Sequence, residues 1–235
     1  QDVMTLNHST IETIMQQYAE FSGVVQVRHQ RVVIFEQAYG YANRADKLAN
    51  TLNTRFGTAS GTKLLTGIAI CQLVEQGKLT LHTRLQDVVK ADFSHFDPTI
   101  TIQHLLTHTS GAPDYFDEEE LDAQGDFGAL WLEYPTYTMK KARDFLPMFQ
   151  HKPMKFKPEA RFSYNNGGFI LLGLVIESVS GMSYIDYVTE HVLQKANMTA
   201  SGFFALDQLP AQTALGYIDN GDGTWKTNLF QIPII

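Results

Sequence analysis

Apolar and polar residues alternate with two different periods in the N-terminal part of the chain. Over Thr10–Phe21 the apolar residues recur every three or four positions, which is the spacing of one helix face. The stretch SGVVQVRHQRVVIFEQAYGYAN follows, with β-branched runs on either side of His29–Gln30, a pattern typical of a β-hairpin. The chain is therefore predicted to begin with an amphipathic helix and two antiparallel strands.

The middle of the chain is predicted to be rich in helices. An apolar helix spans approximately Ser60–Gln76 and ends at Gly77, because glycine readily adopts the left-handed conformation that closes a helix. A second apolar helix, in NNGGFILLGLVIESVSG, ends at Gly181, and another follows over Tyr184–Leu193. A shorter helix lies in ITIQHLLTHTSG, with Thr101 as its candidate N-cap.

The C-terminal stretch LGYIDNGDGTWKTNLFQIPII is predicted to form two strands around a glycine–aspartate turn. Residues Pro113–Arg161 are the least regular part of the chain. The sequence thus predicts an α+β protein with a strand pair at each end. A two-stranded hairpin is marginally stable alone, and the chain stops at Ile235 on an apolar run. We therefore expect it to be part of a longer protein whose C-terminal strands complete the sheet.

Composition narrows the functional classes. The chain has 235 residues, of which 44% are hydrophobic and 18% charged, as is ordinary for a globular protein with a substantial core. A formal net charge of -7, without any basic cluster, argues against nucleic acid or an anionic membrane surface as a partner. No apolar stretch in the sequence reaches the length of a membrane span. The one cysteine, Cys71, excludes an internal disulfide, and its apolar context predicts a buried core residue.

The start of the first apolar helix carries a candidate nucleophile. In GTASGTKLLTG, Ser60 and Lys63 are three residues apart, so both lie on one face of the first helical turn. A serine attacks only when a nearby base removes its proton, and a neutral lysine can be that base. Taken alone, the pair also fits a helix cap followed by a solvated lysine.

A second candidate element, RFSYNNGGF, directly precedes the second apolar helix. Tyr164 and Asn166 are two residues apart, so in an extended or turning segment their side chains point to the same side. A phenol can relay protons, and an amide can hold a lysine or a substrate carbonyl. Taken alone, the pair also fits a packing aromatic and a turn asparagine.

These stretches together resemble the serine beta-lactamase and penicillin-recognising DD-peptidase family, in its class C-like branch that includes esterases. FGTASGTKLLTG is similar to the family's S-x-x-K helix start, HLLTHTSGAPDY to a sequence frequent in this branch, and FSYNNGGFILLGLVIESVSG to its Y-x-N element. The resemblance implies a beta-lactamase/transpeptidase-like fold, a helical domain beside an antiparallel sheet with flanking helices. Residues 1–56 would belong to the sheet domain and 57–235 to a mainly helical domain.

The resemblance also implies roles for the candidate residues. Ser60 would be acylated by the substrate, and its own backbone N–H would supply half of the oxyanion hole. Lys63 would act as the base or in a proton relay, and Tyr164 would protonate the leaving group and help to activate the deacylating water. Asn166 would orient Lys63 and the substrate amide. The family uses no metal and no organic cofactor.

The resemblance leaves substrate and turnover open. A beta-lactam, a D-alanyl peptide or a small ester would each fit, and the alternative is a sensor module that acylates or binds without turnover. Family members favour an extracytoplasmic location.

Two positions depart from the family pattern. The third motif, Lys/His-Thr/Ser-Gly, is not present, because Lys226-Thr227-Asn228 lacks the glycine and lies too early. We therefore expect this chain to lack the second oxyanion donor. Glu159 stands where relatives commonly have a glycine.

Other motifs have simpler interpretations. His104 and His108 have zinc-ligand spacing, but no glutamate follows His104 as in H-E-x-x-H, so we expect a structural role in the turn. The acidic run Asp114–Asp122 is predicted to be a solvated segment that could border the site and disfavour anionic substrates. DNGDG lacks a full calcium-ligand pattern and predicts a hairpin turn. No G-x-S-x-G motif of an α/β-hydrolase occurs.

Overall fold

The computed structural model describes residues 8–120 and 127–234. The chain divides into two compact units. The first combines the described residues up to Gly57 with Gln208–Asn228, and the second combines Thr58–Asp207 with the described residues from Leu229 onward. This differs from the predicted division, because residues 208–228 group with the N-terminal segment and not with the helices.

The first unit contains the predicted N-terminal helix and hairpin. Helix α1 (His8–Met15) precedes the antiparallel strands β1 (Gly23–His29) and β2 (Val32–Tyr39). The two turn residues between the strands, Gln30 and Arg31, have φ angles of 46° and 70°. Two successive left-handed residues give the turn a twist that matches the right-handed twist of the strands. The predicted hairpin is confirmed.

Helix α1 is shorter than predicted. It ends at Met15, and the next turn tightens, since the N–H of Tyr18 bonds the Met15 carbonyl three residues back. Of the residues in α1, Ile11 is the one that is buried, whereas Tyr18 is 61% exposed. The apolar residues after Met15 therefore contribute little burial free energy to a longer helix that would reach Phe21.

Four short strands complete the first unit: β3 (Tyr41–Asn43), β4 (Leu48–Ala49), β5 (Tyr217–Asp219) and β6 (Trp225–Thr227). They form the antiparallel pairs β3–β4 and β5–β6, so the described residues hold three two-stranded sheets. Gly221 and Gly223, with φ angles of 81° and 85°, allow the sharp connection between β5 and β6. The predicted C-terminal strand pair is thus confirmed.

The second unit is built from helices: α2 (Thr62–Glu75), α3 (Leu85–Val88), α4 (Ile102–Leu106), α5 (Phe127–Glu133), α6 (Asn166–Ser180) and α7 (Tyr184–Val188). A π-helical turn, Thr189–Leu193, continues α7. Helix α6 is central, because it packs against α2, α4 and α7. Its residues Leu171, Leu172 and Leu174 are almost completely buried. As predicted, it ends at Gly181, which is left-handed with φ 74°.

Helix α2 carries apolar residues on all sides, although it also includes polar residues such as Lys63 and Gln72. Ala69, Ile70 and Leu73 are fully buried, but Leu64 is 68% exposed. Cys71 lies on the exposed side as well, so the predicted burial of this cysteine is wrong. The physical reason is that a helix without a polar face does not reveal from its sequence which side turns inward.

The apolar helices of the second unit are core helices. Most of α6 is buried inside this unit. None of the described helices is by itself long and apolar enough to cross a membrane; the pair Asn166–Ser180 and Tyr184–Leu193 meets that standard of length and composition only when joined across an 81° bend.

Candidate active site

Ser60 lies in a single turn of 3-10 helix, Ala59–Gly61, directly before α2. Ala59 has a φ of 45°, a left-handed conformation that is unfavourable for a residue with a side chain. The N–H of Gly61 bonds the Thr58 carbonyl at 2.8 Å and closes the turn. The turn thus holds Ser60, which is exposed, at the amino end of a core helix.

Lys63 is placed one helical turn after Ser60. Its Nζ donates to Ser60 Oγ at 3.1 Å and to Asn166 Oδ1 at 2.9 Å. The same Nζ lies 4.9 Å from the ring centre of Tyr164 and 5.7 Å from that of Phe169, both within the range of cation–π attraction. These contacts hold the end of a flexible side chain beside the Ser60 hydroxyl.

Tyr164 approaches Ser60 from a different segment of the chain. Its hydroxyl donates to Ser60 Oγ at 2.8 Å. The oxygen of Ser60 is therefore in contact with both Lys63 and Tyr164. The structure brings together all four residues singled out from the sequence, since Asn166 is bonded to Lys63.

Asn166 is the first residue of α6, and its amide links two sides of the site. Oδ1 accepts from Lys63, whereas Nδ2 lies 3.4 Å from the Phe116 carbonyl oxygen and 3.4 Å from Glu118 Oε1. Its neighbour Asn165 is the N-cap, with a side-chain oxygen that accepts from the Gly168 N–H at 2.6 Å.

Asp114 binds the amino end of α6 through its carboxylate. Its carboxylate oxygens accept from the backbone N–H groups of Asn166 at 2.6 Å and Gly167 at 2.7 Å. These are N–H groups that have no partner within the helix, and the helix dipole favours a negative charge there. Asp114 is only 3% exposed, and burial raises the pKa of its carboxyl to about 6 although the hydrogen bonds oppose this shift.

The prediction that Asp114–Asp122 is a solvated acidic segment is wrong for its first part. Asp114 and Asp117 are buried, because each has a partner that the sequence does not place beside it. Asp117 pairs with Lys155 at 2.5 Å, and Lys155 also donates to Ser163 Oγ at 2.7 Å. The last two residues of the run, 121 and 122, lie outside the described residues.

Glu119 links the acidic segment to the residues that directly precede Tyr164. Its oxygens accept from the Arg161 guanidinium at 2.9 and 3.0 Å, and from Lys155 at 3.2 Å. The hydrogen bonds from Arg161 are the main reason that the pKa of Glu119 falls to about 2. The acidic segment and the segment that leads to Tyr164 are thus joined by opposite charges.

The turn of HTSG, residues 108–111, supports the segment before Tyr164. The His108 carbonyl accepts from Ser163 N–H at 2.9 Å, and the Gly111 carbonyl accepts from Lys155 N–H at 2.8 Å. Gly111 has a φ of 65°, and a Cβ there would lie 2.1 Å from the Phe156 carbonyl oxygen. Only glycine fits this approach.

The imidazole of His108 packs beside the catalytic candidates. Its Nδ1 accepts from the Asn165 N–H at 3.0 Å, and its ring centre lies 4.7 Å from that of Tyr164 and 5.2 Å from that of Phe169. Burial lowers the pKa of His108, and the nearby charge of Lys63 lowers it further. The ring is therefore held neutral with its proton on Nε2, since Nδ1 is an acceptor.

His104 has separate partners. Its Nδ1 accepts from Thr101 N–H at 3.2 Å within a capping box that starts α4, and its Nε2 lies 3.1 Å from Glu159 Oε1. The predicted N-cap at Thr101 is confirmed. Glu159 has a φ of 68°, a conformation that glycine adopts most easily. Over residues 8–120 and 127–234, no group of three or more His, Cys, Asp or Glu side chains is arranged to hold a metal.

Sequence reasoning missed the residues that support the candidate quartet. Asp114 and Glu118 were visible only as parts of a frequent stretch or of an acidic run, and His108 was expected only to have a structural role in the turn. One signal was available for Asp114, since a buried helix start needs an acceptor for its N–H groups. Nothing in the spacing of the sequence connects Asp114 with Asn166, 52 residues apart.

Comparison with known proteins gives a match over nearly the whole chain. A family model described as "Beta-lactamase" matches residues 8–229. Penicillin-binding protein 4* of Bacillus subtilis (strain 168) is 29% identical over 204 residues, which are 85% of this chain and 42% of that protein. The chain therefore spans less than half the length of this curated relative.

Solved structures show the same likeness. A penicillin-binding protein from Bacillus halodurans is 54% identical, with a TM-score of 0.87 over 95% of this chain and 66% of that one. An octameric penicillin-binding protein homologue from Pyrococcus abyssi is 27% identical, with a TM-score of 0.74 over 96% of this chain and 51% of that one.

Proposed function

Because the chain belongs to the beta-lactamase family, we propose that it is the serine-bearing part of a hydrolase that works through an acyl-enzyme on Ser60. Its fold is the beta-lactamase/transpeptidase-like α+β fold expected from the sequence motifs. Two relatives are penicillin-binding proteins by name, the curated protein from Bacillus subtilis and the solved structure from Bacillus halodurans.

One observation carries the proposal: Ser60 Oγ lies 3.1 Å from Lys63 Nζ and 2.8 Å from the Tyr164 hydroxyl. In the attack, the Oγ–carbonyl bond forms while the serine proton passes to whichever of Lys63 and Tyr164 is deprotonated at that moment. The carbonyl π electrons move onto the oxygen, and collapse of this oxyanion expels the leaving group. The leaving group takes the proton through Tyr164.

Deacylation takes the same route in reverse. A water molecule attacks the ester of Ser60, its proton passes to the Tyr164–Lys63 pair, and Ser60 Oγ leaves with a proton. Asn166 keeps Lys63 in place through the 2.9 Å hydrogen bond in both half-reactions. We assign one oxyanion donor to the backbone N–H of Ser60; loss of such a donor costs about 3 to 4 kcal/mol of transition-state stabilisation.

The substrate class we propose is a carbonyl compound whose acyl group can be transferred to Ser60: a beta-lactam, a D-alanyl peptide or a small ester. The relatives named for penicillin binding favour the first of these, and the resemblance to DD-peptidases favours the second. They also support an extracytoplasmic location. The second candidate function is a sensor that is acylated without turnover, and the rate of product release distinguishes the two.

The test uses the full-length protein, incubated with a penicillin and separately with a chromogenic ester. Intact-mass measurement is expected to show a covalent adduct on Ser60 that decays as product forms. In Ser60→Ala both the adduct and the turnover should vanish. A stable adduct without product supports the sensor, and turnover that persists in Ser60→Ala overturns the assignment.

A further inference from the structure

Lys155 has a side chain whose charged end is largely buried. The side chain is 12% exposed, and Nζ lies 2.5 Å from Asp117 Oδ2, 2.7 Å from Ser163 Oγ and 3.2 Å from Glu119 Oε2. Burying an ammonium group is costly unless its charge and its N–H donors are satisfied, and here three oxygens surround it. These oxygens come from two separate stretches of the chain, so Lys155 joins the two stretches.

The first stretch carries Tyr164. Ser163 directly precedes Tyr164 and is 3% exposed. Its hydroxyl oxygen accepts from Lys155 Nζ, whereas the hydroxyl of Tyr164 donates to Ser60 Oγ at 2.8 Å. The backbone is held here as well, since the N–H of Ser163 donates to the His108 carbonyl at 2.9 Å. The side chains of two consecutive residues thus connect Lys155 with the candidate nucleophile.

The second stretch is the acidic turn beside Asn166. Asp117 and Glu119 of this turn both contact Lys155. The carbonyl oxygen of Phe116, directly before Asp117, lies 3.4 Å from Asn166 Nδ2. Lys155 therefore holds the first stretch against the turn that contacts the Asn166 amide.

We propose that Lys155 is a positioning residue, which fixes Tyr164 for the delivery of a proton to the leaving group. Lys155 touches no reacting atom and acts through Ser163 on the Tyr164 hydroxyl. Proton transfer to a departing oxygen or nitrogen is sensitive to geometry, and a misplacement of about 1 Å can cost about a hundredfold in rate. This inference rests on the proposed function, because it concerns acylation at the same Ser60 site.

The test uses leaving groups that differ in their need for a proton. In p-nitrophenyl butyrate the departing phenolate is stable as an anion, whereas the departing oxygen of ethyl butyrate and the departing ring nitrogen of a penicillin must be protonated. For the two esters kcat/KM is measured, by absorbance and by acid release, because it includes no step after the leaving group departs. For the penicillin, intact mass gives the rate of adduct formation on Ser60.

In Lys155→Met, the rates with ethyl butyrate and the penicillin are expected to fall about tenfold or more beyond any loss with p-nitrophenyl butyrate. A role in stability alone would lower all three rates by the same factor. Ser163→Ala is the second variant, because it removes the contact with Lys155 and keeps the ion pair of Lys155 with Asp117. It should show the same selective loss, by about fivefold, and it decides the matter if Lys155→Met does not fold.

Lys157→Met is the matched control, since it removes the positive charge of an exposed lysine two residues away. It is expected to keep the wild-type rates with all three compounds. Equal losses with all three in the Lys155 and Ser163 variants, or the same selective loss in Lys157→Met, overturn this inference. The proposed function survives that result as long as Ser60→Ala abolishes the reactions. Failure of the wild type with all three compounds, without any adduct on Ser60, overturns both.

Discussion

Asp114 accepts a 2.6 Å hydrogen bond from the backbone N–H of Asn166. This contact joins a buried carboxylate to the residue that holds Lys63, so the position of the candidate base depends on a residue that touches no reacting atom. The loop that carries Asp114 and the helix that carries Asn166 are fixed to one another at this point. Both the activity and the stability of the protein should therefore depend on Asp114.

Asp114→Asn is expected to reduce kcat/KM by about tenfold or more. An asparagine offers one oxygen, and its NH₂ group would face the N–H of Asn166 or Gly167, leaving a buried donor without an acceptor at a cost of about 1–3 kcal/mol. Steady-state kinetics with a chromogenic ester measure the loss. Asp87→Asn, at an exposed residue, is the control and should have no such effect. Equal kinetics in wild type and Asp114→Asn would show that this anchor is dispensable.

The raised pKa of Asp114 predicts how stability depends on pH. The pKa rises from 3.8 to about 6 in the folded protein, so the folded state binds a proton between these pH values that the unfolded state has already released. The stabilisation from this group is complete below pH 3.8 and is lost as the pH rises through about 6, by about 3 kcal/mol in total.

The measurement is urea unfolding at several pH values for wild type and Asp114→Asn. Other titrating groups are common to both proteins, so the difference between their unfolding free energies isolates Asp114. Relative to the variant, the wild type should lose stability from pH 4 to pH 7, by about 2–3 kcal/mol. A difference that is flat over this window would contradict the prediction.

His108→Ala is expected to lower kcat more than it raises KM. It removes the acceptor for the Asn165 N–H and the ring that packs on Tyr164, so the Tyr164 hydroxyl loses its support. A buried donor without an acceptor costs about 1–3 kcal/mol, and a transition state destabilised by this amount forms about fivefold to a hundredfold more slowly. His82→Ala, at an exposed histidine, serves as the control. A selective rise in KM would instead place His108 in substrate binding.

Gly111→Ala and Gly77→Ala form a matched pair for stability. Both glycines are left-handed, with φ angles of 65° and 69°, but a Cβ at Gly77 meets nothing within 4 Å, whereas one at Gly111 meets the Phe156 carbonyl oxygen at 2.1 Å. Gly77→Ala should destabilise by about 1 kcal/mol through backbone strain alone. Gly111→Ala should cost at least about 1 kcal/mol more by urea unfolding, and equal losses would disprove the close approach.

Glu159→Gly should be more stable than Glu159→Ala by about 1 kcal/mol. Both variants lose the contact with His104, and only glycine removes the strain of the left-handed φ of 68°. Thermal unfolding of the two variants measures the difference. If alanine proves equally stable, the backbone at this position is not strained.

The periodic elements were predictable from sequence because local chemistry determines them. The hairpin of β1 and β2 follows from two β-branched runs, and the end of α6 follows from Gly181. The four candidate site residues were singled out by their spacing on one helix turn or in one extended segment, and the resemblance to a family then favoured a catalytic role for them. Their mutual contacts, such as Lys63 to Asn166 across 103 residues, came only from the resemblance to a family.

The features that could not be predicted depend on partners distant in sequence. The burial of Asp114 requires the amino end of α6, and the burial of Asp117 requires Lys155. The exposure of Cys71 requires knowing which side of α2 packs inward. In each case the local sequence is compatible with both outcomes, and tertiary packing decides between them.

The candidate reactive groups sit at the amino ends of two core helices that pack against one another, Ser60 and Lys63 at α2, Tyr164 and Asn166 at α6. The helix pair is therefore a stiff frame, and the packing of its buried side chains sets the distance from Ser60 to Tyr164. A substitution that loosens this packing should change that distance even when it contacts neither residue.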